Sequence, residues 1–387
     1  MVIKKTSSHP KVNFGKNAVL LINLGTPSST SKKDIKKYLR EFLSDNRIIE
    51  VNKFLWWFIL NIIILNVRPA KTAKTYNEIW MHELNQSPLR YYTIQQQKKL
   101  AKKLLKKDLI VDYAMRYGEP SIKNKILELK NKGCENIIIL PLYPQYSSAT
   151  IGSVSDAVFK TLLDMRWQPS IQIVPHYESN PFYIEALNKS LEKSMSSIRW
   201  RPDLIIASYH GIPKRYFIKG DPYHCHCHKT TRLLKEKFKK RIPFLTTFQS
   251  RFGPEEWLTP YTEETLIDLA KNNTKNVVVM CPGFASDCIE TLEEINIRAK
   301  EVFLKNRGKN FLMVPCLNDN SNHIKLLFNL VRISFKTSVL DSRYCLKFTI
   351  SEFMLTELSI ILIFNGYYCL FKYIYNSLKL FIPVFFA

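Results

Sequence analysis

No glycine-rich phosphate loop occurs in the 387 residues, since neither G-x-G-x-x-G nor a Walker pattern follows any apolar run. A nucleotide cofactor is therefore not expected. Glycine (11) and proline (19) are not in excess, which excludes collagen-like and low-complexity chains. The start, MVIKKTSSHPK, has no apolar stretch behind its lysines, so no secretory leader is expected. With eight cysteines in such a chain, the reading is a reducing compartment, the cytoplasm, with thiols or metal ligands in place of a disulfide frame. KFLWWFILNIIIL (53–65) falls short of the roughly 20 apolar residues that span a bilayer. It reads as a core helix or as a lip dipping into a membrane interface. Acidic residues are also scarce, leaving a net charge of +24. The lysines lie in helical stretches such as QQQKKLAKKLLKK (95–107), without interleaved aromatics or a nucleic-acid motif. Nucleic acid is thus not an expected partner, and attraction to anionic lipid stays open.

Short apolar runs alternate with helical patterns. AVLLINLG (18–25), LIVDYAMRYG (109–118) and NIIILPLYP read as strands, with the helix SIKNKILELKNKG between the last two. The rhythm returns with SIQIVPHY (170–177), a helix over 181–195, DLIIASYHG (203–211), a helix, NVVVMCPGF (276–284) and a further helix. Strands with few polar interruptions, separated by helices, predict parallel sheets covered on both faces. The expected fold is α/β, in two similar doubly wound, Rossmann-like halves. The expected segments are an extension at 1–16, a first half at 17–165 with the apolar stretch 53–65, a second half at 166–330 and an apolar tail at 331–387. In such sheets the ligand lies beyond the carboxyl ends of the strands, where Arg116, Tyr143, His210 and the segment around Phe284 fall.

His210 ends a strand and is followed by Gly and Pro, so it is a candidate for the crevice; a packed, hydrogen-bonded histidine is the structural alternative. In SDCIETLEEI, Asp287, Glu290 and Glu294 at i, i+3 and i+7 would share one helical face and offer a path for a hydrated cation. Two structural alternatives compete: a capping box from Asp287 to Glu290, and an i+4 pair of Glu294 with Arg298. HCHCH (224–228) is the densest set of ligand side chains. If extended, it would place Cys225 and Cys227 on one side, as possible partners of a soft metal. Arg68 and Arg116 could hold acidic groups of a flat apolar ligand against aromatic walls.

The segments LLINLGTP, WWFILNIIILNVRP, SPLRYYT, AMRYGEPSI, LPLYPQYSSATIGS, SYHGIPKRYFIKGDPY, TTFQSRFGPEEWLTPYT and PGFASDCIETLEEI, in this order, resemble the ferrochelatase family from about residue 17 to 330. The resemblance implies two pseudo-symmetric halves with a porphyrin cleft between them. It implies protoporphyrin IX and Fe2+ as substrates, with protohaem and two protons as products, in the last step of haem biosynthesis. It makes His210 and Glu290 catalytic, and His210, Glu290, Glu294 and Asp287 the metal-site residues. Arg68, Ser87, Arg116, Tyr143, Trp257 and Phe284 become pocket residues around the macrocycle, and 53–65 a lip facing a membrane. The protein would then be cytoplasmic and peripheral to the inner face of that membrane.

Three departures stand out. Cys288 occupies a position where animal members carry histidine. Ser148 replaces a cysteine that binds an iron–sulfur cluster there, so a [2Fe–2S] cluster would need other ligands, with Cys225 and Cys227 as candidates. The tail beyond about residue 330 matches nothing in the family. The rival readings are a chelatase for another tetrapyrrole, coproporphyrin or sirohydrochlorin, and a non-catalytic porphyrin or haem carrier.

Overall fold

The computed structural model describes residues 13–104 and 108–338. The extension at 1–16 is therefore described only in its last residues, and most of the tail at 331–387 lies outside the described residues. The described residues up to Val331 form one compact unit.

The strands are β1 (Lys16–Gly25), β2 (Leu109–Tyr117), β3 (Cys134–Pro141), β4 (Ser170–Ile173), β5 (Leu204–His210), β6 (Phe244–Gln249), β7 (Asn276–Met280) and β8 (Asn310–Val314). In the first half the helices are α1 (Lys32–Leu43), α2 (Lys53–Phe58), α3 (Leu65–Ile79), α4 (Pro88–Leu104), α5 (Ile122–Asn131) and α6 (Ser153–Leu163). They continue with α7 (Pro181–Ser196), α8 (Lys214–Ile218), α9 (Tyr223–Lys237), α10 (Thr262–Lys271), α11 (Ile289–Thr291), α12 (Lys300–Lys305) and α13 (Ser321–Ser338).

Two four-stranded parallel sheets result, ordered β2-β1-β3-β4 and β6-β5-β7-β8. The orders are the same pattern repeated, with β5 taking the place of β1. Ala18 to Ile22 and Ile205 to Ala207 are wholly buried, because a central parallel strand has helices on both faces. The first sheet includes β4 at 170–173, so it runs past the boundary expected at 165. The crossing between halves is α7, capped by Asn180 with Pro181 in its first turn. β6, α10 and β8 were not anticipated. β6 (FLTTFQ) hides its pattern because its buried hydroxyl groups are paired: Thr247 and Ser208 both bond Thr262 at 2.8 Å.

The stretch at 53–65 belongs to one helical run, Lys53–Ile79, in which Ile59–Ile64 widens to π geometry. Asn61 and Asn66 donate to the carbonyls of Trp57 and Ile62, and Pro69 removes a helix donor, so the ladder is perturbed on several turns. Leu60, Leu65, Tyr76 and Ile79 pack with α1, while Phe54 (75% exposed), Leu55, Trp57, Ile62 and Ile63 face solvent. By length and composition alone this 27-residue run could cross a membrane; the count of apolar residues at 53–65 did not anticipate that. Its buried side is that of a helix packed on the body.

Gly25 ends β1 at a φ of 109°. A Cβ there would lie 1.8 Å from the Tyr117 carbonyl oxygen. Gly25→Ala is expected to destabilise the fold by more than the roughly 1–3 kcal/mol of a strained backbone angle. Urea unfolding checks this, and a midpoint equal to wild type would contradict the close approach.

Candidate functional site

The carboxyl ends of β1, β3, β5 and β7 converge on a cleft with an empty volume of about 1010 Å³. Its walls are mainly apolar and aromatic, as suits a flat hydrophobic ligand. Tyr143, His210, Trp257, Phe284 and Glu290 all line it.

His210 is the last residue of β5, and Gly211 behind it allows Trp257 to come close. A Cβ on Gly211 would stand 2.9 Å from the Gln249 carbonyl and 3.0 Å from the Trp257 ring. The His210 and Trp257 ring centroids are 6.3 Å apart. His210 Nδ1 lies 2.6 Å from the Gly211 carbonyl oxygen. A carbonyl only accepts, so Nδ1 is the donor, which in the neutral tautomer puts the lone pair on Nε2. The Trp257 indole N–H is buried without a hydrogen-bond partner among the described residues.

The loop after β3 forms another wall and is tied to the second half. Gln145 donates to Thr230 at 3.0 Å, and the Ser147 hydroxyl and Ser148 N–H both donate to Asp221, at 3.0 and 2.7 Å. Asn23, at the end of β1, lines the cleft while donating to Thr93 at 2.9 Å. Sequence reasoning passed over Asn23, Gln145 and Cys288 as cleft residues; the strand-end rule could have found the first.

The acidic segment differs from its expected form. Cys288 is extended (φ −150°, ψ −172°) and caps a helix that starts only at Ile289. Asp287 therefore stands before the helix, and the i, i+3, i+7 stripe does not form. The capping pair is Cys288 with Thr291, not Asp287 with Glu290. Buried Asp287 instead accepts from Asn318 Nδ2 at 2.6 Å and from Cys316 N–H at 3.1 Å. This is an anchoring role, away from the cleft.

Glu290 reaches the cleft, and Glu294 reaches a separate polar one of about 960 Å³, shared with Arg68, Ser250, Glu263, Glu264 and Arg298. Leu292–Ala299, the segment that carries Glu294, is π-helical, a wide turn frequent at functional sites. Ser250 donates to Glu294 at 2.6 Å, and the anticipated contact with Arg298 is present at 3.7 Å. Burial pushes the Glu294 carboxyl up, and the Glu290 charge adds to this; Ser250, His210 and Arg298 oppose it. Burial, then the Glu290 charge, also raises the Tyr76 hydroxyl far above its usual range, so it stays protonated.

Other expected pocket residues lie elsewhere. Arg116 is consumed in a buried network, donating to Ser153 and pairing with Asp45, which also accepts from Tyr117 at 2.7 Å. It does not line the cleft. Arg68 lies in the polar cleft with its guanidinium 4.6 Å from the Phe252 ring centre. Ser87 caps α4 through Arg90 N–H at 3.2 Å and lines a small cavity that Glu290 shares. HCHCH is helical, within α9, so the extended-chain geometry fails. Cys225 is exposed and Cys227 fully buried. Among the described residues neither Cys225 nor Cys227 belongs to a close group of three metal-binding side chains.

The Asp45 carboxyl resists burial, which raises it. The hydrogen bonds from Ser153, Tyr117 and Arg47 and the Arg116 charge outweigh that and lower it. A depressed carboxyl stabilises the fold above its unfolded value, and the contribution is lost as pH falls through the folded one. Arg116→Ala should cost about 3–5 kcal/mol at pH 7, the usual penalty for a stranded buried charge, and less in acid. Denaturation across pH measures this; unchanged stability in that variant would contradict the buried pair.

The ferrochelatase family model matches residues 16–334. The ferrochelatase of Allorhizobium ampelinum is 52% identical over 330 residues, 84% of this chain and 95% of that protein. That of Agrobacterium fabrum is 51% identical over the same length, and that of Francisella tularensis is 48% identical over 337 residues, covering 86% of this chain and 98% of the relative. A solved structure of SirB from Bacillus subtilis with Fe3+ shares the fold, with a TM-score of 0.50 at 11% identity, covering 82% of this chain and 95% of that one.

Proposed function

The chain belongs to the ferrochelatase family, and from that premise we propose that His210 and Glu290 are the two groups that act on porphyrin and iron. The protein is a lyase that inserts Fe2+ into protoporphyrin IX and releases two protons. What supports the assignment is that His210, from the end of β5, and Glu290, from α11, line the same apolar cleft.

Metallation must strip water from iron and remove two pyrrole protons. A planar porphyrin directs its nitrogen lone pairs into the ring, so binding it between Tyr143, Trp257 and Phe284 in a distorted form would expose them, with remote contacts offsetting the strain. The unpartnered Trp257 N–H supplies a donor for a polar edge of the substrate. His210 Nε2 accepts a pyrrole proton or meets the entering iron. Glu290 offers carboxylate oxygen to a hard cation.

Glu294 continues the route on the far side of the same helical segment, in the polar cleft. A carboxyl already raised by burial and by Glu290 gains from either a proton or a metal ion, which suits a relay between solvent and the apolar site. Arg68 in that polar cleft balances its charge, a different role from gripping propionates. Asp287 holds the start of the segment and is not a ligand in this reading.

The exposed face of α2 and the π turn carries Phe54, Leu55, Trp57, Ile62 and Ile63. Each leaves more than half of its surface in water, at a cost of roughly 25 cal/mol per Å² of apolar area. Together with the net charge of +24, they favour docking on an anionic bilayer that holds the insoluble porphyrin. We place the protein peripherally at the inner face of the membrane on that ground.

His210→Ala should abolish iron insertion while porphyrin still binds, read as a Soret shift without haem formation; near-normal turnover would sink the assignment. Glu290→Gln should lower kcat by about 10²–10⁴, and Glu294→Gln by less. Ile62→Glu with Ile63→Glu should release the protein from anionic vesicles without altering turnover on detergent-dispersed porphyrin. Unchanged vesicle binding would contradict the docking face.

A further inference from the structure

The HCHCH segment takes no part in the cleft chemistry, yet α9 sorts its histidines onto different faces. His224 and His228 lie side by side, ring centroids 4.4 Å apart. His226 instead meets His176, from the turn after β4, also at 4.4 Å. We infer that His176, Glu178 and His226 form a second metal site, for a divalent transition ion of borderline softness such as Zn2+ or Co2+.

Their ligand atoms all lie within 4.8 Å of one another. Two imidazoles and a carboxylate are a donor set such ions favour over Mg2+ or Ca2+. A tetrahedral ion with bonds of about 2.1 Å spaces its donors roughly 3.4 Å apart. Shifts of about an ångström would close the set, within reach of the half-exposed His176 side chain. Glu178 is buried, and His176 is open to solvent, so the ion enters from the surface and keeps water as its remaining ligand.

Without metal, the three residues are held by other partners. His176 Nδ1 donates to Glu178 Oε2 at 2.6 Å, which leaves the Nε2 lone pair of the neutral ring free. Lys229 pairs with the other carboxylate oxygen at 3.0 Å. Burial would push the Glu178 carboxyl up, but the bonds from His176 and Lys229 overcome it and hold the pKa at about 2, so an anion is always present. His226 Nδ1 accepts from the Tyr146 N–H at 3.2 Å. Ligation draws on the same ring and competes with that bond, which helps anchor the loop carrying Gln145 and Ser147 into the cleft wall. None of the three residues lines either large cleft. The site is therefore separate from the one that handles substrate iron.

The full chain carrying His210→Ala and Glu290→Gln, which silence the substrate site, should still bind one equivalent of Zn2+ by titration calorimetry. Adding His176→Ala should weaken that binding at least tenfold. His226→Gln, which keeps an acceptor for Tyr146 N–H, should do the same with an unchanged melting temperature. Absence of binding in the silenced protein would overturn the site, as would binding that survives both changes. Loss seen only with His224→Ala and His228→Ala would also overturn it, by moving the ion to the neighbouring pair.

Discussion

The buried carboxylate of Asp287 is the fixed point of the segment that carries Glu290 and Glu294. By accepting from Cys316 N–H and Asn318 Nδ2, it ties the strand-to-helix junction after β7 to the loop that follows β8. Asn318 reciprocates by accepting the Asp287 N–H at 2.8 Å. Held there, the chain has one extended residue, Cys288, in which to turn before α11 starts. That turn decides that Glu290 enters the apolar cleft and Glu294 the polar one. Moving the helix start by one residue would rotate both acids by about 100° and misdirect each.

Two dissimilar environments meet along this segment. On one side an aromatic cleft excludes water and strengthens each charge within it. On the other, arginines, glutamates and Ser250 keep a solvated passage. On the proposed route, a dication crossing between them would exchange one carboxylate for the next and would not be left bare. The strongly basic surface does not oppose this, because the charges nearest the path are acidic and locally paired.

Much of the fold was legible because parallel strands buried on both faces appear as uninterrupted apolar runs. β1, β2, β3, β5 and β7 were read close to their observed places. β6 was not, since its buried threonines and Gln249 look polar until their hydrogen bonds are known. His210 was legible from a strand end followed by Gly-Ile-Pro. Asp287 and Arg116 were misplaced because spacing assumes a regular helix and an unpaired guanidinium, and neither the extended Cys288 nor the Asp45 network leaves a mark in a single sequence. The HCHCH reading failed for a related reason. Alternation separates side chains into two sets only in an extended chain, and α9 spreads them around a cylinder.

The helical run Lys53–Ile79 has its apolar outer face at one end and Tyr76 and Ile79 in the wall of the small cavity that Glu290 shares at the other. At 1.5 Å per residue its 27 residues span about 40 Å. Its inner part is packed into α1, and Pro69 lies between that part and the exposed outer face. With the outer face seated as proposed, the heading of the protein on a bilayer would be set, and substrate would reach the cleft by lateral diffusion in a sheet, not by a search through volume.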